Sequence, residues 1–174
     1  MFERLVPNLR VNSVYEIDLH ELSSRGVRGI ITDLDNTLVG AKEPLATPEL
    51  VAWLDKASSL GFKVVIVSNN NITRVGSFAT PLGIPYIHAA RKPIQRPFLK
   101  ALALLGLAAN QTVMIGDQMM TDVLGGNRMG LFTILVAPVS PPDEGLMTLV
   151  NRRIERIALF ILRRRGMWHE EEKK

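Results

Sequence analysis

The chain has 174 residues, 47% apolar and 22% charged, with a net charge of +4, the balance of an ordinary globular protein with one sizeable core. It contains no cysteine, which excludes disulfides and thiolate metal sites and is compatible with a reducing compartment. No window holds about 18 uncharged apolar residues, so no helix is expected to span a bilayer, and the opening Met1 to Pro7 does not read as a secretory signal.

Strand-like and helix-like stretches alternate along the sequence. Val27 to Thr32 is a short β-branched run that ends in acids and a turn. Thr47, Pro48 and Glu49 read as an N-cap and a first helical proline, opening a helix that stops near Gly61. Phe62 to Val67 is a second strand, followed by Ser68 to Asn71 and a helix to Leu82 that Pro81 disturbs. Tyr86 to His88 is a weaker third strand, and Arg96 to Leu105 is a helix closed by Gly106. Thr112 to Ile115 is a fourth strand, then comes a helix over Thr121 to Met129, then a fifth strand over Phe132 to Val136. Continuous apolar runs of this length suit strands buried on both faces. The expected fold is therefore α/β: a three-layer, doubly wound domain on a central parallel sheet of about five strands. One domain over 1–174 is expected, with its core at about 27–136. A Pro-rich linker at Pro138 to Pro142 precedes a last helix at about 146–165, and a frayed charged tail covers 169–174.

In such a sheet, ligands bind beyond the carboxyl ends of the strands. The five strands are followed in turn by Asp33-Leu34-Asp35-Asn36-Thr37, by Ser68-Asn69, by Arg91-Lys92-Pro93, by Gly116-Asp117 with Asp122, and by Ala137-Pro138. Acids, a hydroxyl and a lysine thus meet at one edge. Phosphoryl transfer needs a nucleophile, a proton donor for the leaving group and positive charge on the equatorial oxygens. Asp33 and Asp35, two apart, share one face of an extended strand and can both enter the cleft as the chain turns. Two carboxylates so close repel unless a cation intervenes, and Mg²⁺ with oxygen ligands is suited to that place. Asp117 is a natural second ligand. Ser68 and the N–H groups of the next helix can hold phosphate oxygens, and Lys92 brings a point charge. Gly116 lets the chain turn before Asp117.

Asp33-x-Asp35-x-Thr37, Ser68-Asn69, Arg91-Lys92-Pro93 and Gly116-Asp117-x-x-x-x-Asp122 resemble, in order and spacing, the four motifs of the haloacid dehalogenase-like phosphatases. The resemblance covers about residues 27–136. Within that superfamily the chain resembles the small capless YqeG type of subfamily IIIA, which includes phosphatidylglycerophosphate phosphatases. Pro7, Ser13 to Asp18 and Gly116 to Asp122 carry that narrower likeness. The resemblance implies that Asp33 is the nucleophile, forms an aspartyl-phosphate and ligates Mg²⁺. It implies that Asp35 is the general acid and base, with its main-chain carbonyl on the metal, and that Thr37 supports the turn. Ser68, Asn69 and Lys92 would hold the phosphoryl group. Asp117 would ligate the metal, and Asp122 would do so directly or through water.

About 30 residues separate Asp35 from Ser68 and about 23 separate Ser68 from Lys92, room for one helix each and not for a cap domain. An open cleft admits a bulky phosphate monoester, and phosphatidylglycerophosphate is the expected substrate. The rivals are a soluble nucleotide or sugar-phosphate phosphatase and a non-catalytic module on the same fold that binds RNA or protein. Residues 151–165 hold six arginines against Glu155. Leu146, Leu149, Val150, Ile154, Ile157 and Ile161 form one stripe, either packed on the sheet or docked on anionic lipid. Phe160, Leu162, Met167 and Trp168, and an N-terminal group of Phe2, Leu5, Val6 and Leu9, are further candidate membrane contacts. The expected place is cytoplasmic, peripheral at the inner membrane face, with no nucleic-acid partner. Oligomeric state is not legible.

Overall fold

The computed structural model describes residues 2–140 and, towards the C-terminus, residues 156, 157, 159, 160, 162–164 and 166. Among these a six-stranded, wholly parallel sheet is formed by β1 (Leu9–Val11), β2 (Gly29–Thr32), β3 (Lys63–Val67), β4 (Tyr86–Ile87), β5 (Thr112–Gly116) and β6 (Phe132–Val136). The spatial order is β1-β6-β5-β2-β3-β4. The chain therefore enters the sheet at the β1 edge, passes to the middle at β2, runs outward to the β4 edge, crosses back to β5 and completes the sheet at β6 beside β1. The switch point lies between β2 and β5, whose residues pair from Gly29 with Thr112 to Thr32 with Ile115.

Period-two alternation divides the core. On one face Ile30, Ile66, Ile115 and Ile134 pack with Leu50, Trp53 and Phe78 from α2 (Pro48–Ser59) and α3 (Ile72–Ala79), and with Leu19 and Leu22 of α1 (Leu19–Ser24). On the other, Ile31, Val65, Val67 and Met114 pack with Phe98, Ala101 and Leu105 of α4 (Gln95–Leu105). Sequence-coded caps set the helix ends. The Thr47 hydroxyl accepts from Leu50 N–H at 3.2 Å, and the Asn71 carbonyl oxygen accepts from Arg74 N–H at 2.9 Å. Gly106, at φ 66, closes α4. Short α5 (Leu124–Arg128) continues a π-helical turn over Met119–Val123. A Cβ at Gly125 would lie 2.4 Å from the Phe98 ring, and one at Gly126 would lie 2.6 Å from Thr133, so this glycine pair lets α5 lie directly on the sheet and α4.

The expected three-layer parallel fold is observed, and the segments between Asp35 and Ser68 and between Ser68 and Lys92 hold one helix each. Two features differ from expectation. The N-terminal segment adds a sixth strand: β1 extends the sheet beside β6, and Leu5, one of the expected membrane contacts, is buried against Met119, Leu124 and Leu162. Among the described residues of the last helix, Ile157 of the expected stripe is exposed and a residue off the stripe is buried. Residues 156, 157, 159, 160 and 162–164 are helical. Leu162 is fully buried with Leu159 beside it, whereas Ile157 is 62% and Phe160 64% exposed. The pocket made by Leu5, Met119 and Leu124 selects Leu162, and Ile157 then falls on the solvent side. Leu146, Leu149, Val150, Ile154, Ile161, Met167, Trp168 and the tail lie outside the described residues.

This facing has a measurable consequence. Leu162→Ala is expected to cost about 2–5 kcal/mol in denaturant unfolding, and Phe160→Ala less than about 0.5 kcal/mol. A larger loss at Phe160 than at Leu162 would mean the opposite face is packed.

Candidate active site

Parallel strands deliver their following residues to one edge, and the switch point leaves room there. Asp33 directly follows β2, and its N–H donates to Ile115 of β5 at 2.9 Å. Asp117 directly follows β5 and Ser68 directly follows β3. Lys92 sits five residues past β4, and Asp122 is in the π-helical turn after Asp117. Asp33, Asp117 and Asp122 are all buried, and one carboxylate oxygen from each lies within 4.8 Å of the others. The Lys92 ammonium, itself buried, is 2.9 Å from Asp33 Oδ1 and 2.7 Å from Asp122 Oδ1. Both are charge-assisted contacts at hydrogen-bonding distance.

The surrounding backbone explains the placement. Asn36, at φ 63, takes the left-handed turn that asparagine tolerates, and its N–H donates to Val39 at 2.7 Å. The Thr37 hydroxyl then reaches Asp117 Oδ1 at 3.3 Å. Gly116 is needed for a reason besides the turn. A Cβ there would stand 2.2 Å from Asp122 Oδ2, inside the carboxylate that Gln118 N–H holds at 3.1 Å. The Asn69 carbonyl oxygen accepts from Lys92 N–H at 2.7 Å, and its amide nitrogen faces the Lys92 carbonyl at 3.5 Å. Its side chain thus fixes the lysine loop. Ser68 is buried, and its hydroxyl accepts from Asn70 N–H at 3.1 Å while keeping its own proton to donate.

Asp35 stands apart from the acidic cluster. Its carboxylate is half-buried between Arg74 of α3, whose Nε and terminal nitrogen lie 2.9 and 2.8 Å from Oδ1, and Asn70, which donates to Oδ2 at 3.0 Å. Neither partner was anticipated from sequence. The available signal was an arginine in the first turn of an otherwise uncharged helix, three residues past the Asn71 cap.

Electrostatically the cluster has three carboxylates against one ammonium. Burial raises the Asp33 pKa to about 6; the Lys92 ammonium opposes the rise and the Asp122 carboxylate adds to it. Burial disfavours the charge on Lys92, but Asp122 and Asp33 outweigh it and its pKa is pushed up to about 12. An excess of buried negative charge, with oxygen donors only, fits a hard divalent cation.

These observations agree with what known proteins show. Residues 11–130 match the haloacid dehalogenase-like hydrolases. The chain belongs to that family. It is 48% identical over 167 residues to a protein of Bacillus subtilis called probable phosphatase YqeG, covering 95% of this chain and 96% of the relative. It is 29% identical over 162 residues to the chloroplastic phosphatidylglycerophosphate phosphatase 1 of Chlamydomonas reinhardtii, covering 86% of this chain and 59% of that longer protein. The cobalt-bound deoxy-D-mannose-octulosonate 8-phosphate phosphatase of Haemophilus influenzae shares the fold at TM-score 0.52 and 16% identity, over 82% of this chain and 91% of that one. In this chain the buried triad of Asp33, Asp117 and Asp122 is the set of residues that would hold a divalent cation.

The raised Asp33 pKa sets the sign of a pH effect. A carboxyl whose folded pKa exceeds its unfolded value of about 3.9 stabilises the fold below that value, and the contribution is lost as pH rises through about 6. In chelator, Asp33→Asn is therefore expected to match wild type near pH 4 and to gain on it by pH 7, on the order of 2 kcal/mol. Denaturant titrations across that range test this; a difference that does not change with pH would contradict the buried-charge account.

Proposed function

We propose that this phosphatase hydrolyses a phosphate monoester through a phosphoryl ester on Asp33, with phosphatidylglycerophosphate as its substrate. The observation that carries the chemistry is the meeting of Asp33, Asp117, Asp122 and Lys92 in one buried cluster. Asp33, Asp117 and Asp122, with the main-chain carbonyl of Asp35, would hold a divalent cation, Mg²⁺ by the hardness of its donors, which neutralises charge on the phosphoryl oxygens. The Lys92 ammonium, the Ser68 hydroxyl and the main-chain N–H of Asn69 hold the remaining oxygens. One Asp33 oxygen attacks phosphorus as the P–O bond to the leaving group breaks, and Asp35 delivers a proton to that alkoxide. Asp35 then takes a proton from water as the water attacks the aspartyl-phosphate, releasing inorganic phosphate and restoring Asp33. Arg74 and Asn70 hold the Asp35 carboxylate at the rim, where a leaving group would depart.

Support for a lipid substrate comes from the name of the algal relative and from the lack of space for a cap between the motifs. The cytoplasmic membrane face is the proposed place of work. No helix of the described residues is long and apolar enough to cross a membrane.

Two experiments test this reading. Release of phosphate from an aryl phosphate is expected to need Mg²⁺ and to fall by 10³-fold or more in Asp33→Asn; phosphatidylglycerophosphate in mixed micelles should then exceed a panel of soluble monoesters in kcat/KM. Persistent turnover in Asp33→Asn would refute the nucleophile, and equal rates on the soluble panel would refute the lipid substrate. Arg74→Ala is expected to lower kcat about 10- to 100-fold with little change in KM, and to do so more for alkyl than for aryl phosphates, because only the poorer leaving group depends on a placed acid. Equal losses on both substrate classes would leave Arg74 a merely structural residue.

A further inference from the structure

The positive charge of this chain is unevenly placed. Between Asp55 and Asp117 the sequence has no Asp or Glu and seven Lys or Arg, in a protein whose whole net charge is +4. That stretch builds β3, α3, β4 and α4, one entire flank of the sheet out to its edge strand. Two of its cations point inward, Lys92 to Asp33 and Asp122, and Arg74 to Asp35. Arg91, Arg96 and Lys100 do not. All three are exposed and line a hollow of about 360 Å³ beneath the β4–α4 loop, together with His88 and Ile94 and without any carboxylate.

The backbone directs this outward display. Ala89 and Arg91 both take left-handed conformations, φ 45 and 58, so that successive residues part company: Arg91 faces solvent and Lys92 enters the acidic cluster. One loop therefore carries an inner and an outer cation. On α4, positions 96, 99, 100 and 103 share the solvent face by helical spacing. Leu99 stands 56% exposed between Arg96 and Lys100, and Ile94, just before the first turn, is 55% exposed. Nothing in the core accounts for two protruding aliphatic side chains beside three cations.

We propose that this shoulder, formed by the β4–α4 loop and the first turns of α4, is the surface by which the enzyme docks on an anionic bilayer. The cations match lipid phosphates, and Ile94 and Leu99 are placed to enter the acyl boundary, the combination that interfacial binding requires. A single-stranded nucleic acid would call for exposed aromatic rings to stack on. The local aromatic, Phe98, is buried. Lys92 belongs to the same loop, so docking here brings the acidic cluster to the membrane surface, where a headgroup phosphate stands. In this the inference rests on the lipid-substrate reading above, and it places the contact on α4 rather than on the arginines of the last helix.

The test is sedimentation of the full chain, under chelation and without substrate, with vesicles of phosphatidylglycerol or of phosphatidylcholine. Wild type is expected to bind the anionic vesicles alone. Arg96→Gln/Lys100→Gln and, separately, Ile94→Asp are each expected to weaken that binding by about tenfold or more, while aryl phosphate turnover stays within about twofold of wild type and shows the fold intact. Wild-type indifference to anionic vesicles, undiminished binding by both variants, or loss confined to Arg163→Gln/Arg164→Gln would overturn the proposal, as would tighter binding of poly(U) than of vesicles. Because binding is read without turnover, a phosphatase that proves to prefer soluble monoesters would fail the substrate reading and not this one.

Discussion

Like charges must be brought together and kept from water in this fold, and most of its local structure follows from that demand. Three carboxylates are buried within 4.8 Å of one another around a single ammonium. Left alone such an arrangement would push itself apart or take up protons, and the raised pKa of Asp33 is the trace of that pressure. What holds the groups is the sheet. Register between β2 and β5 is set over four residue pairs, with Ile30, Val113 and Ile115 buried in one core and Ile31 and Met114 in the other. The positions of Asp33 and Asp117 are therefore decided by apolar packing several residues away, not by any attraction between them.

Packing alone cannot orient the side chains, and a second set of residues does so through the backbone. Gly116 clears the volume that Asp122 occupies, Asn36 turns the chain so that Thr37 meets Asp117, and Asn69 clasps the main chain of Lys92. Each of these is a polar or missing side chain that acts on a neighbour's geometry. Their cost is local backbone strain and buried polar groups. Divalent charge would offset the excess of carboxylate that they enforce.

This division explains what the sequence disclosed. The strands β2 to β6 are apolar runs with period two or continuous burial, and the acids follow them directly, so both the sheet and Asp33, Ser68 and Asp117 could be read in order. β1 could not: Leu9 to Val11 is three residues long and its middle residue is an arginine, so only pairing with β6 makes it a strand. Arg74 and Asn70 escaped notice because their meaning lies in a contact with Asp35 across 35 residues or more of chain, and nothing in local spacing announces it. The last helix shows the same limit. Among its described residues, the burial of Leu162 depends on the pocket that Leu5, Met119 and Leu124 present, and that pocket exists only once the N-terminus is in place.

A cleft without a cap places its selectivity elsewhere. The acidic cluster is nearly sealed by its own loops, so a phosphoryl group can be gripped there without a lid, but that grip is common to any monoester. The leaving group remains outside, and among the described residues no inserted domain between the motifs covers it. Discrimination must then come from how the rest of the substrate is presented: Arg74 of α3 stands beside Asp35, and the Arg91, Arg96 and Lys100 shoulder faces the surface that presents it. Arg74 and the shoulder belong to the acid-free stretch between Asp55 and Asp117. A cationic shoulder suits a substrate presented on an anionic surface, and aliphatic side chains among the cations suit one that is presented at an apolar boundary. On the proposed reading the bilayer supplies both, and the same stretch of sequence that delivers Lys92 to the phosphate also determines what stands around it.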